Sequence, residues 1–234
     1  MNIIGNIFGS SLGKKFIMAV TGFCLFGFVV GHMIGNLQVF LGPEAINRYG
    51  HFLQSNVELL WPVRIGLLVI VGLHIWSSIK LSAENKAARP VGYGTYKPVG
   101  STYASRTMLM SGLIILTFII YHILHYTAQV QYINFTGQSF VTFEDPQKRH
   151  DIYKMMVVGF SNPWVSLFYI TGVGLLCLHL SHGISSMFQS IGWLNASYRP
   201  ILEKASCALA VLIWVGYASI PIAVLLGFGK EALK

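Results

Sequence analysis

Residues 16–41 read FIMAVTGFCLFGFVVGHMIGNLQVFL, a run of apolar and small residues without a single charged side chain. About 20 such residues are enough for a helix to cross a hydrocarbon layer about 30 Å thick. The run is longer than the apolar region of a signal peptide, and no small-residue cleavage site follows it. It therefore predicts a membrane-spanning helix.

The same pattern recurs along the chain. Four further apolar stretches, at about 59–81, 105–127, 163–188 and 205–228, bring the predicted spans to five. Hydrophobic residues make up 54% of the 234 residues and charged residues only 10%, against about 25% charged in soluble domains. We predict an all-α fold, an integral membrane bundle of five transmembrane helices that forms a single domain over residues 1–234. This composition excludes a disordered chain and a nucleic-acid binder.

The three cysteines, Cys24, Cys177 and Cys207, each lie alone within an apolar run. Their spacing fits neither a CxxC pair nor the motifs of zinc sites and covalently attached haem. A disulfide-stapled secreted fold is therefore excluded, and we interpret the cysteines as small apolar residues.

The distribution of Lys and Arg predicts the orientation, because these residues concentrate on the cytoplasmic side of membrane proteins. A cytoplasmic N-terminus places nine of them inside and seven outside. The inside set is Lys14, Lys15, Lys80, Lys86, Arg89, Lys97, Arg106, Arg199 and Lys204. We therefore expect the N-terminus in the cytoplasm.

Two connecting segments are notable. The inner one, residues 82–105, is basic and rich in Gly, Pro and Tyr, and is either a solvated linker or a docking surface for an acidic cytoplasmic partner. The outer one, residues 129–162, is long for a connection. Its middle, DPQKRHDIYKMMVVGF at 145–160, predicts a short interfacial helix.

Six of the eight histidines lie within the predicted spans or at their edges. They are His32, His74, His122, His125, His179 and His182. Ionisable side chains are costly in a bilayer, so their presence in four of five spans favours a functional interpretation over simple packing.

The depths of these histidines predict a specific arrangement. Since successive helices run in opposite directions, His32 and His122 fall in the outer half of the membrane, and His74 and His179 in the inner half. Haem iron takes two axial imidazoles from facing helices of a bundle. Two pairs at two depths therefore predict two stacked haem b groups.

His125 and His182 are alternative ligands, since each lies three residues after its neighbour on the same helix face. Each is about 4.5 Å nearer the membrane surface, so bilayer depth favours His122 and His179. His125 and His182 would instead contact haem propionates, quinone or water.

Glycines accompany several of these histidines. Gly27, Gly31 and Gly35 form a GxxxGxxxG stripe around His32. Such a stripe serves either close helix packing or space for a flat macrocycle. Gly72 before His74, and Gly172 and Gly174 before His179, fit the same two interpretations. The fifth span has no histidine, and we interpret it as structural.

Charged and polar residues near the predicted outer surface include Arg48, His51, Glu58 and Arg64. They either surround a quinone headgroup or anchor the helices at the interface. No acidic residue lies in the middle of a span and no nucleotide or hydrolase motif is present, so the sequence assigns no catalytic residue to the chain.

Four segments, GHMIGNLQVFLGPEAINRYGHFLQS (31–55), GLHIW (72–76), IIYHILHYT (119–127) and CLHLSHG (177–183), carry a resemblance that covers nearly the whole chain. Together they resemble the single-chain di-haem cytochrome b subunit of bacterial succinate dehydrogenases and fumarate reductases. The resemblance implies that His32 and His122 ligate the distal haem, and His74 and His179 the proximal haem.

The resemblance also implies partners and a location. A flavoprotein with FAD and an iron–sulfur subunit would dock on the cytoplasmic face of the bacterial inner membrane. Electrons from succinate would pass through both haems to a quinone, so this chain would be the quinone-reactive subunit and perform no succinate chemistry itself.

One departure from the family bears on the direction of the reaction. Some fumarate-reducing members carry a membrane glutamate shortly before the fourth histidine, where this chain has Leu175, Leu176 and Cys177. This favours a succinate:quinone reductase, with menaquinone as the expected quinone. The alternatives are a quinol:fumarate reductase, a hydrogenase-type cytochrome b anchor, and a non-haem transporter or scaffold.

Overall fold

A computed structural model describes residues 3–88 and 103–233, and these residues form an all-α protein. Five long apolar helices qualify as membrane spans, and the chain is a multi-pass membrane protein. They are α2 (Ser11–Leu37), α4 (Val57–Ala87), α6 (Met108–His122), α8 (Pro163–Ser190) and α9 (Arg199–Leu225). Four short helices accompany them in the described residues: α1 (Ile3–Gly9), α3 (Pro43–Ser55), α5 (Tyr103–Arg106) and α7 (Ile152–Ser161).

Two of the long helices change their winding at one end. A 3₁₀ turn, Gln38–Leu41, extends α2, and a π-helical turn, Ile123–Thr127, extends α6. Further 3₁₀ turns lie at Gln131–Ile133, Phe140–Thr142 and Lys230–Leu233. π-Helical turns are rare and frequently mark functional sites, and this one directly follows His122.

The predicted spans are confirmed, with shifted ends. The third begins at Met108 instead of 105, because Tyr103–Arg106 forms a separate short helix. The fifth ends at Leu225 instead of 228, since Gly227 (φ 105°) and Gly229 (φ 74°) adopt left-handed backbone conformations that end the helix. The inner segment was predicted to begin at residue 82, but α4 continues to Ala87. Its middle, 89–102, lies outside the described residues.

The chain divides into two compact units. The first comprises Met1–Phe28, Arg64–Leu113 and Leu178–Ala210, and the second Val29–Val63, Ile114–Cys177 and Val211–Lys234. Each of the five long helices contributes residues to both units.

In the first unit, the short helix α1 packs on α4. Phe8 contacts Trp76 with ring centroids 5.6 Å apart. Lys14 is buried, donates to the Gly9 carbonyl and forms an ion pair of 2.6 Å with Glu84. Lys14, one of the basic residues that the sequence places on the inner side, is therefore also part of the structural packing.

In the second unit, the core lies around α7. Seven of the ten residues of α7 are buried. The short helix predicted in the outer segment is confirmed over 152–161, but protein surrounds it on most sides, whereas an interfacial helix exposes one apolar face to lipid. Asn47 on α3 fixes its first turn, since its Oδ1 accepts from the Tyr153 N–H and its Nδ2 donates to Asp151.

An ionic cluster ties α3 to the segment before α7. Arg149 donates to Glu44 (2.6 Å) and to Asp145 (2.7 Å). The hydrogen bond from Arg149 lowers the pKa of Glu44. Burial raises the pKa of Asp145, but hydrogen bonds from Arg149 and from the Gln147 N–H outweigh it, so that its pKa is also lowered.

These lowered pKa values predict acid sensitivity of the second unit. The stabilisation is complete above the ordinary carboxyl range, at about pH 4, and is lost as the pH falls through the lower pKa values of the folded state. Arg149→Met should lower the Tm at pH 7 and weaken its dependence on pH between 5 and 3. Thermal unfolding of the purified protein at several pH values measures both effects.

Lys148→Met is the matched control, because Lys148 pairs with Glu144 only at the surface, where both side chains are more than half exposed. It should leave the Tm and its pH dependence close to those of the wild type. The same acid loss of stability in Arg149→Met as in the wild type would contradict the prediction.

Candidate functional site

The second unit brings His32 and His122 together. His32 extends from α2 and His122 is the last residue of α6. Their ring centroids are 5.8 Å apart, with an angle of 81° between the ring planes. Asn36 donates to the His32 carbonyl one turn later (2.7 Å), which fixes the backbone at this position.

The first unit brings His74 and His179 together in a similar way. His74 lies on α4 and His179 on α8. Their ring centroids are 6.5 Å apart, with an angle of 63° between the planes. The two pairs expected from the sequence are thus both present, and each lies within one compact unit.

A hydroxyl group fixes the tautomer of each of the two paired histidines, His74 and His179. The Thr21 hydroxyl donates to the Ile17 carbonyl (2.7 Å), so toward His74 Nδ1 at 3.1 Å it acts as acceptor. Ser111 donates to the Met108 carbonyl and accepts from His179 Nδ1, again at 3.1 Å. Both imidazoles therefore carry their proton on Nδ1, which leaves the Nε2 lone pair for a metal ion.

Thr21 and Ser111 were not among the site residues predicted from the sequence. A signal was present, since each hydroxyl residue directly precedes a glycine, Gly22 or Gly112, inside an uncharged span. A Cβ added at Gly22 would lie 3.4 Å from His74 Cε1, and one at Gly112 would lie 3.6 Å from His179 Cε1. Each hydroxyl–glycine pair thus provides both an acceptor and lateral room for one imidazole.

The three glycines of the α2 stripe do not all have the same role. A Cβ added at Gly27 or Gly31 would have no heavy atom within 4 Å, so close helix packing does not explain these two glycines. The same holds for Gly72, two residues before His74. At Gly35 an added Cβ would lie only 2.9 Å from the Tyr49 ring, so this glycine serves packing.

The glycines before His179 serve packing rather than space for a cofactor. An added Cβ at Gly172 would overlap the Phe118 ring, and one at Gly174 would lie 3.4 Å from Trp214. Phe118 in turn stacks on His122, with ring centroids 6.2 Å apart and an interplanar angle of 22°. Gly172 therefore lets α8 support the His122 ring through Phe118.

The fifth span also contributes to the His32–His122 pair. The Tyr217 hydroxyl donates to the Val29 carbonyl (2.7 Å), and its ring lies 6.3 Å from that of His32. From the sequence, α9 was interpreted as structural. In the structure, its Tyr217 also holds the segment of α2 that carries His32.

Both pairs fit iron held between two imidazoles. An imidazole nitrogen would lie about 2 Å from a metal ion that it ligates and lies about 1 Å from its own ring centre, so two rings that share one ion would have centroids about 6 Å apart. The observed 5.8 and 6.5 Å agree with this value. Within residues 3–88 and 103–233, no group of three or more His, Cys, Asp or Glu side chains forms an all-protein metal site.

The two alternative ligands, His125 and His182, have other surroundings. His182 Nε2 lies 2.8 Å from the Ser186 hydroxyl on its own helix. His125 is fully buried, with Nδ1 2.9 Å from the Tyr169 hydroxyl and its ring against Tyr126. The hydrogen-bond partners of these two rings are thus Ser186 and Tyr169, and neither is a histidine of the two pairs.

The structure gives different surroundings to the four charged and polar residues that the sequence offers as quinone contacts. Arg48 lines a shallow pocket of about 360 Å³ together with Gln38, Ala45, Tyr49 and Phe52. His51 and Glu58 are exposed and are not among its lining residues. Arg64 belongs to the first unit, whereas the pocket lies in the second.

Comparison with known proteins finds no matching family model, no matching curated protein and no matching solved structure.

Proposed function

We propose that this chain is a di-haem cytochrome b membrane anchor of a succinate:quinone oxidoreductase, with His32 and His122 as ligands of one haem and His74 and His179 as ligands of the other. The single observation that carries the proposal is the presence of two histidine pairs, each with its ring centroids about as far apart as those of two imidazoles that would share one iron.

The residues of the chain then have distinct tasks. The four imidazoles would hold the iron ions, and Thr21 and Ser111 hold two of these imidazoles in the tautomer that a metal ion needs. Phe118 and Tyr217 limit the movement of His122 and His32. Haem iron held in this way would supply one-electron transfer between its ferric and ferrous states.

The reaction direction and the partners belong to the same proposal. Leu175, Leu176 and Cys177 leave the stretch before His179 without a carboxylate, which favours succinate oxidation with menaquinone as acceptor. A flavoprotein with FAD and an iron–sulfur subunit would dock at the cytoplasmic face of the bacterial inner membrane, near the exposed Lys15 and Lys80.

The decisive experiment is a haemochrome assay on the purified chain expressed with haem available. We expect two haem b per chain, because each histidine pair holds one. One haem per chain would refute one of the two sites. A folded sample without haem would refute the proposal and return the histidines to packing or transport.

The choice of succinate as electron donor requires a separate measurement. Succinate added to membranes that contain the chain and its copurifying partners should convert the haem b from the ferric to the ferrous form, which its absorption spectrum shows. Hydrogen should not. Reduction by hydrogen alone would instead assign the chain to a hydrogenase-type complex. A complex that oxidises quinol with fumarate far faster than it oxidises succinate would reverse the proposed direction.

A further inference from the structure

Three buried polar atoms in the second unit have no hydrogen-bond partner among the described residues. They are His122 Nδ1, His125 Nε2 and Tyr126 Oη. All three residues lie at the junction of α6 and its π-helical turn. A buried polar group without a partner is destabilising, so three in one place point to a ligand.

The hydrogen bonds nearby define the chemistry of these atoms. Tyr169 is the partner of His125 Nδ1 at 2.9 Å, and among the described residues its hydroxyl has no other hydrogen-bond acceptor. Tyr169 therefore donates to Nδ1, so the proton of the His125 ring lies on Nε2. Tyr126 Oη carries a proton as well, and His122 carries one on Nδ1 when its Nε2 binds iron.

The rings that carry these donors lie next to one another. The rings of His125 and Tyr126 have centroids 4.0 Å apart, and those of His122 and Tyr126 are 6.1 Å apart. A Cβ added at Gly159 would lie 2.5 Å from Tyr126 Oη, so the absence of a side chain on α7 gives this hydroxyl its room.

The electrostatics restrict the ligand to an uncharged group. Among the described residues, no Lys or Arg forms an ion pair or hydrogen bond with His125, Tyr126 or Tyr169. Burying an anion without a cation is very costly, whereas a neutral oxygen with two lone pairs accepts two hydrogen bonds at little cost.

We infer that His125 and Tyr126, next to His122, form a buried binding site for one neutral acceptor oxygen. Two sources offer this chemistry, an internal water molecule and the carbonyl of a quinone. The role of His122 as a donor, and a quinone as the source of the oxygen, rest on the proposed function. The hydrogen bonds from His125 and Tyr126 to the oxygen do not.

The sign of a stability change tests the site. Tyr126→Phe keeps the ring and removes only the hydroxyl. If Tyr126 donates to a bound oxygen, the loss of that hydrogen bond should lower the Tm by about 2–4 °C. If Tyr126 Oη has no partner, its removal relieves a buried unpaired group, and an unchanged or higher Tm would overturn the inference.

Tyr121→Phe is the matched control on the same helix. Its hydroxyl donates to the Ile133 carbonyl at 3.1 Å, so its removal should lower the Tm and calibrate the loss of one known hydrogen bond. Both measurements are valid with or without haem in the protein, which separates failure of this inference from failure of the proposed function.

Quinone addition distinguishes the two sources. In delipidated protein, 2,3-dimethyl-1,4-naphthoquinone should raise the Tm of the wild type but not of Tyr126→Phe if the oxygen belongs to a quinone. An equal response of both, with Tyr126→Phe less stable than the wild type, assigns the oxygen to water. A structure that resolves ordered water should then show an oxygen within hydrogen-bond distance of Tyr126 Oη and His125 Nε2, and direct pairing of these two atoms would refute the site.

Discussion

Replacing His32 by alanine is expected to lower the haem content from two per chain to one, and replacing His74 should remove the other haem. The two histidines belong to different pairs in different compact units, so each substitution removes one of the two imidazoles that would hold one haem. A macrocycle bound through one imidazole loses half of its protein–metal bonds and is released during purification. Haem per chain and the reduced-minus-oxidised spectrum of each variant measure the effect.

Partners within a pair should behave alike. His122→Ala should give the spectrum of His32→Ala, and His179→Ala that of His74→Ala, because each pair would hold one iron in the proposed assignment. The double variant His32→Ala with His122→Ala should still retain one haem. Loss of both haems from this double variant in a folded protein would contradict the assignment of two independent sites.

Three other histidines provide controls. His51 is exposed, and His182 already contacts Ser186, so alanine at either position should leave two haems per chain. His125→Ala should also retain both haems, although it removes a fully buried ring. Full haem content in His179→Ala together with loss of haem in His182→Ala would reverse the choice of ligand on α8.

The number of spans followed from the sequence because it depends on the sum of many residues. Uncharged runs of 20 or more residues have few stable alternatives to a membrane helix, whatever their neighbours are. Their ends were less certain, since single residues such as Gly227 determine where a helix stops. Periodicity therefore sufficed for the existence of each helix but not for its last turn.

The proximity of the two histidines within each pair also followed from the sequence, because the depth of a residue in a span is proportional to its position in that span. The contacts of these histidines with hydroxyl groups could not be predicted in this way. Thr21 and Ser111 lie 53 and 68 residues from the histidines they contact, and the rotation of each helix about its axis decides which side chains meet. Hydropathy carries no information on that rotation when lipid and protein interior are equally apolar.

The burial of α7 was not predictable for a related reason. The run MMVVGF at 155–160 is equally suited to a membrane surface and to a protein core. Asn47 decides between the two, since it binds both the first turn of α7 and its N-cap residue Asp151. Such a bond between residues about 100 positions apart has no signature in either segment alone.

Removing the hydroxyl acceptors should weaken haem binding at the His74–His179 pair alone. Thr21→Val and Ser111→Ala each leave one Nδ1–H without an acceptor, and loss of such a contact lowers metal affinity by about 10–100-fold. The imidazole also becomes a weaker donor to the iron, so the ferrous state gains relative to the ferric state and the midpoint potential of that haem should rise. Redox titration and haem retention during dilution measure the two effects.

The other haem and a matched variant exclude a general loss of stability. The His32–His122 haem should keep its potential in both variants, because neither hydroxyl contacts that pair. Ser206→Ala removes a buried hydroxyl that donates only to the Leu202 carbonyl (2.8 Å), so it should change neither potential. If Thr21→Val and Ser111→Ala shifted the potentials of both haems equally, the hydroxyls would act through the fold as a whole. A shift confined to one haem instead requires that each hydroxyl acts through the imidazole it contacts, as the two 3.1 Å bonds imply.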